Sequence, residues 1–146
     1  MPAIRPAGRT TYAIKAAIAD VTARSWSFPR QKTMYGGKSI AIGDVVYVFA
    51  SENEGGTGLI ARGVVTAARA VPLRKGVARQ TPRVSIEVKV VGRAKRALGR
   101  TELASFTDWK DGRAETELNF KFYRQATNKI VGISAAAATF LDRRWE

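Results

Sequence analysis

The amino-acid sequence predicts one domain of mixed α/β (α+β) class, in which a curved, mostly antiparallel sheet forms a small barrel with short flanking helices. Three observations predict it. Two β-branched and aromatic runs flank the glycine-rich turn 51–58 and read as a hairpin. A cleanly alternating run sets Val84, Ile86, Val88 and Val90 against Ser85, Glu87 and Lys89, the mark of a half-buried strand. No helical pattern is long enough to supply the crossovers of a doubly wound parallel sheet. The chain has 146 residues, the size of one ordinary domain, and is 45% hydrophobic, enough for a real core.

Each element follows from local chemistry. Residues 1–10 carry Pro2, Pro6, Gly8, Arg5 and Arg9 with little to bury, and read as a basic arm. Thr11 to Ile18 reads as a first strand, with Tyr12, Ile14 and Ala16 on one face. Residues 22–38 mix Trp26, Phe28 and Tyr35 with four cations, and Pro29 and Gly36–Gly37 interrupt them; they read as a long loop, and such loops are usually functional. Val45 to Ala50 is continuously apolar, as in a strand buried on both faces, and Leu59 to Ala67 pairs with it. Residues 72–83 read as a solvated basic loop. Thr101 is placed to cap a short helix over Glu102 to Phe106. Asp111-Gly112 is a turn. Leu118, Phe120 and Phe122 alternate with polar neighbours and read as a strand, and Lys129 to Ile133 reads as another. Ser134 caps a final helix from Ala135 to Arg144, where Arg143 and Arg144 meet the negative end of the helix dipole.

Composition bounds the chemistry. Lys and Arg number 25 and Asp and Glu 12, for a formal net charge of +13. Such a domain attracts polyanions, and nucleic acid is the commonest, because neutralising phosphates releases counterions. A membrane partner is not expected, since no basic amphipathic helix or apolar span is found. There is no Cys and no His. Ser-His-Asp and Cys-His catalysis and Cys- or His-based metal sites are therefore excluded, and neither metal nor cofactor is expected. The stretch behind Arg5 and Arg9 is broken by Lys15 and Asp20 and does not read as a signal peptide, so the expected location is cytoplasmic.

A family resemblance rests on Trp26, on Lys38-Ser39-Ile40, on Gly43-Asp44 leading into Val45-Val46-Tyr47-Val48-Phe49-Ala50-Ser51, and on Gly58 to Val65. This pattern resembles the PUA-like superfamily, its EVE and ASCH branches most closely, and Asn119 to Trp145 is similar to the closing part of EVE domains. The Lys-Ser-Glu-Pro-like segment that EVE domains carry after the first strand is not found here. The resemblance implies a pseudo-barrel of curved strands with flanking helices. It implies recognition of RNA or of modified DNA bases, or, as in some ASCH relatives, hydrolysis of a modified nucleoside.

Reading one base takes a flat apolar surface, polar groups for the base edge and cations for phosphates. The 24–38 segment holds all three. Trp26, Phe28 and Tyr35 are candidate stacking faces, Ser27 and Gln31 candidate base-edge partners, and Arg24, Arg30, Lys32 and Lys38 candidate phosphate contacts. Ser51 and Asn53, at the end of the Val45–Ala50 strand, are further pocket candidates. Tyr123, Arg124, Gln125, Asn128 and Lys129 form a second basic and aromatic patch. The competing role for Trp26 and Phe28 is to plug the barrel end; for Ser51 and Asn53 it is turn chemistry. Arg74, Lys75, Arg79, Arg83, Arg93, Lys95, Arg96 and Arg100 read as a general phosphate-attracting surface. An enzyme without His or Cys would need a lysine of depressed pKa or a buried carboxylate, and Lys32 near Thr33 with Glu87 is the set available. A third reading is an RNA-assembly protein acting through charge alone.

Overall fold

A computed structural model describes residues 10–125 and 128–145. The expected arm at 1–10 lies almost wholly outside the described residues. Six strands close into a barrel: β1 (Thr11–Ala16), β2 (Ser25–Met34), β3 (Val45–Ala50), β4 (Gly58–Ala70), β5 (Arg83–Arg93) and β6 (Ile130–Ile133), in the spatial order β1-β3-β4-β5-β2-β6. The sheet is mixed. β1 runs parallel to β3 and β2 parallel to β6, while the other pairings are antiparallel.

The barrel interior and a helix-covered outer layer form two cores. Inside lie Tyr12, Ile14, Phe28, Val46, Val48, Ile86, Val88 and Ile130. Outside, Ala13, Tyr47, Phe49 and Val131 meet Leu118, Phe122, Ala137 and Leu141 of the helices. This accounts for the unbroken apolar run in β3, whose alternate residues face different cores and are all buried from Val46 to Ala50. β5 keeps its predicted alternation, because Glu87 and Lys89 face outward from the barrel.

Three local expectations need correction. Residues 25–34 are a strand, not part of a long loop. Trp26 and Phe28 alternate with Ser27 and pair with Val88 and Ile86 of β5. Pro29 does not end the strand, because it sits in a bulge: pairing jumps from Phe28↔Ile86 to Gln31↔Val84, leaving one extra residue on β2. A residue without an N–H is tolerated there. Arg30 takes up the extra length at φ 52, and its N–H donates to Ser85 Oγ at 3.0 Å.

The second correction concerns 118–123. These residues belong to α2 (Ala114–Asn119) and to a π-helical turn over Phe120–Arg124. Leu118 and Phe122 are spaced four apart and both are fully buried. Asp111 accepts from the Arg113 N–H at 2.9 Å and from Thr116 Oγ1 at 3.0 Å, which starts the helix. Third, the short helix α1 (Arg100–Leu103) begins two positions earlier than the Thr101 cap implied, with Gly99 in the cap position. Glu102 reaches back to the Gly99 N–H at 2.7 Å, and Glu52 accepts from the Arg100 N–H at 2.8 Å.

The last helix, α3 (Ala135–Asp142), is capped as predicted, with Ser134 Oγ accepting from the Ala137 N–H. Glu117 secures that cap, accepting from the Ser134 N–H at 2.9 Å and from Lys121 Nζ at 3.0 Å. Burial pushes the Glu117 carboxyl up, but the hydrogen bonds from Ser134 and Lys121 outweigh it and hold the group below its ordinary value of 4.5. A depressed carboxylate contributes stability that is present above 4.5 and lost as pH falls through the lower folded value. Urea midpoints measured from about pH 6 down to about 3 should therefore decline less steeply in Glu117→Gln than in the parent. Parallel profiles would remove Glu117 from the acid response.

Candidate functional site

An open cleft of about 480 Å³ lies against the bulge of β2. Ala16 and Ala17, where β1 ends, form one wall. Phe28 and Pro29 form an apolar floor with them, and Ser27, Gln31 and Asn128 supply polar groups. Arg30, Lys32 and Arg83 supply cations, and among the described residues no carboxylate lines the cleft. The bulge creates this arrangement. The positive φ at Arg30 turns the chain so that Arg30 and Lys32 share a cleft with Arg83 of β5, which pairs with Lys32. The Arg83 guanidinium also donates to the Arg30 carbonyl at 2.9 Å, bracing the bend.

Lys129 adds a further cation beside this rim. Burial, and then the neighbouring Lys32 ammonium, pull its pKa below the usual lysine range. Its Nζ lies 3.4 Å from Met34 Sδ, a weak acceptor. Two ammonium groups held near each other beside a cleft without carboxylates favour an incoming anion.

The structure thus brings Ser27, Phe28, Arg30, Gln31, Lys32 and Asn128 to one cleft, with Lys129 adjoining. The other candidates lie apart from it. Trp26 packs against the barrel core, its ring 6.3 Å from Phe28, and its indole N–H donates to the Asp20 carbonyl at 2.9 Å. Arg93 holds the same 20–24 segment through hydrogen bonds to the carbonyls of Val21, Thr22 and Ala23, so Trp26 closes the barrel mouth under a clamped loop. Arg24 is exposed, and its carbonyl accepts from the Val90 N–H. Tyr35 follows β2 at φ 52, exposed, with Lys121 Nζ 4.7 Å from its ring centre. Lys38 is exposed in the short helical turn Gly37–Ser39.

The further pocket candidates Ser51 and Asn53 lie elsewhere too, and the second patch divides in the same way. Ser51 is buried, and its backbone N–H donates to the Ala16 carbonyl at 2.9 Å. Asn53 Oδ1 accepts from Arg100 at 2.7 Å. Tyr123 donates to Glu52 at 3.0 Å and lies 4.5 Å beneath Lys15 Nζ; burial and then the Glu52 charge push its phenol well above the usual tyrosine range. Arg124 stacks 5.8 Å from the ring of exposed Trp109. Gln125 has a buried side-chain oxygen without a hydrogen-bond partner among the described residues. Asn128 reaches both the cleft and Glu54, at 3.2 Å.

Sequence reasoning missed Ala16 and Ala17, treated Pro29 only as a breaker, and counted Arg83 among the general surface charge. Their place depends on strand register, which leaves no local signal. It also missed Lys15. This lysine is 1% exposed, between the sheet and the π-helical turn, and donates to the Phe122 carbonyl at 2.5 Å. Desolvation lowers its pKa. It is a lysine of the kind an enzyme without His or Cys would need, yet it does not line the β2 cleft. Lys32 lines that cleft, whereas Glu87 lines a separate hollow with Ala67 and Ser85, and no hydrogen bond or ion pair joins the two. Among the described residues no acidic cluster could hold a metal ion, and no helix is long and apolar enough to cross a membrane.

No protein-family model matches the chain, and no curated protein matches it in sequence. Solved structures do match in shape. Human THYN1 protein in complex with 5-methylcytosine-containing DNA aligns with a TM-score of 0.66 at 13% identity, over 94% of this chain and 98% of that one. The DUF55 domain of human thymocyte nuclear protein 1 aligns with a TM-score of 0.63 at 12% identity, over 93% and 98%. A hypothetical protein from Leishmania major aligns with a TM-score of 0.59 at 16% identity, over 92% of each chain. The six-stranded mixed barrel with short flanking helices is the fold shared with these solved structures, and the pseudo-barrel that the sequence resemblance implied holds at the level of fold.

Proposed function

We propose that this protein is a nucleic-acid-binding module that takes a single base into the β2 cleft, with 5-methylcytosine in DNA the first base to test. The observation that carries the reading is the cleft's composition among the described residues: an apolar floor, three neutral polar side chains and three cations, with no carboxylate. Phe28, Pro29 and Ala16–Ala17 suit the face and methyl group of a pyrimidine. Ser27, Gln31 and Asn128 offer donors and acceptors for its edge. Arg30, Lys32 and Arg83 suit the phosphates on either side. The net charge of +13 supplies long-range attraction to any nucleic acid, so charge alone does not select a base. The shape match to a protein bound to 5-methylcytosine-containing DNA supports testing that base first.

The test is fluorescence anisotropy with matched oligonucleotides, cytosine against 5-methylcytosine, in DNA and in RNA. A preference of roughly tenfold for one base, reduced in Gln31→Ala, is the expected result, since each good base contact contributes about 1–3 kcal/mol of discrimination. Equal affinity for every base, with salt dependence alone, would leave the protein a general polyanion binder and defeat the proposal.

A further inference from the structure

The β4–β5 hairpin ends in a loop, 71–82, that the base-binding reading does not use. Its chemistry is one-sided. From Gly55 to Ile86 the sequence has no Asp or Glu, while Arg69, Arg74, Lys75, Arg79 and Arg83 crowd the hairpin's end. Every residue from 72 to 79 is exposed, including two large apolar side chains, Leu73 at 67% and Val77 at 41%. Exposed aliphatic side chains set among cations serve neither a core nor solubility.

The loop is nevertheless built. Gln80 closes it: the Arg74 N–H donates to Gln80 Oε1 at 2.9 Å, and Gln80 Nε2 donates to the carbonyls of Arg74 at 2.8 Å and Val77 at 3.1 Å. Gly76, at φ 78, makes the turn inside that closure. A tip held this way loses less conformational entropy on binding than a free loop would. Its base is the wall of the β2 cleft. The Pro82 carbonyl accepts from the Thr33 N–H at 3.2 Å and from Thr33 Oγ1 at 2.7 Å, the Val71 N–H donates to the Arg83 carbonyl at 2.9 Å, and Arg83 itself lines the cleft.

From this we infer that the 71–82 loop is a duplex-DNA arm: Arg74, Lys75 and Arg79 grip the phosphates flanking the base held in the cleft, and Leu73 with Val77 presses into the base stack beside it. The inference rests on the base-binding reading and extends it to duplex substrates. Drawing a base out of a duplex leaves its neighbours unstacked, and apolar wedges beside a distorted step are a known way to compensate. Cations around a wedge hold it in register, and apolar atoms at its tip lose water when they enter the stack.

The experiment compares the parent protein with Arg74→Gln/Lys75→Gln/Arg79→Gln and with Leu73→Ser/Val77→Ser. The probes are a short DNA duplex with one central 5-methylcytosine, the same duplex with cytosine, and the modified strand alone. A 2-aminopurine beside the central base reports unstacking. The triple variant should lower the log K against log salt slope on both duplexes by between about 2 and 3. The double variant should lose roughly tenfold or more in duplex affinity, together with the 2-aminopurine signal, and bind the single strand as the parent does. All substituted positions are exposed, so thermal unfolding should match the parent. Parent-like slopes and parent-like duplex affinity in both variants would overturn the arm. A loss that is equal on duplex and single strand would also overturn it, because a duplex-specific role requires the difference. If the parent shows no base preference, the cleft reading fails separately; the slope change with the duplex-specific loss of affinity and of the 2-aminopurine signal on the unmodified duplex would still establish a loop that contacts duplex DNA, without a base held beside it.

Discussion

Replacing Arg30, Lys32 and Arg83 together with glutamine should weaken nucleic-acid binding roughly 100- to 1,000-fold at ~0.1 M salt. Each phosphate contact contributes about 0.9 to the slope of log K against log salt on a duplex. Three contacts removed should therefore flatten that slope by between about 2 and 3. The three side chains share one cleft, and among the described residues no carboxylate lines it, so their charge is available to an incoming phosphate. The Lys129 ammonium, pulled down by burial and by Lys32, should return toward the ordinary lysine range when Lys32 is neutralised. Exposed positions of this kind change stability by no more than about 0.5 kcal/mol, apart from the Arg83 hydrogen bond to the Arg30 carbonyl. Anisotropy titrations across a salt series read both quantities. An unchanged slope would mean that phosphates bind elsewhere on this basic surface, and the β2 cleft would lose its claim.

Phe122→Ala should cost about 3–5 kcal/mol of folding stability, the usual range for emptying a fully buried aromatic site. The ring is fully buried and lies 4.9 Å from Phe49, at the centre of the outer core between barrel and helices. That core also includes Leu118, Ala137 and Leu141, so a cavity there loosens α2 and α3 together. Chemical denaturation read by circular dichroism measures the cost. A loss below about 1 kcal/mol would be the behaviour of an edge-strand residue and would contradict the helical packing. The neighbouring Lys15, donating to the Phe122 carbonyl, makes the site more sensitive, because water entering the cavity would reach a desolvated cation.

Both cases show why part of the molecule was legible from its residues. In β5, alternation is unambiguous because one face meets the barrel core and the other meets solvent. Over 118–123 the same alternation of Leu118, Phe120 and Phe122 also fits a helix that buries positions four apart. Only the preceding Asp111 turn and the pairing of Glu117 with Lys121 resolve the ambiguity, and they act through three-dimensional contacts. Over 25–34, Pro29 and the Tyr35-Gly36-Gly37 turn outweighed a correct local signal, the spacing of Trp26 and Phe28. A bulge absorbs a proline that a regular ladder would reject, and bulges have no reliable local pattern.

By itself the sequence determined the class of fold, the β3–β4 hairpin, the strand β5, the capped last helix, the cationic character of the surface and the exclusion of His and Cys chemistry. These follow from composition and from periodicity over a few residues, which do not depend on distant partners. Tertiary structure alone decided which cations meet. Register across β2 and β5 places Arg83 beside Lys32, and one extra residue at Arg30 bends the strand toward the end of β1. A cleft is a relation between segments far apart along the chain, so no single segment encodes it.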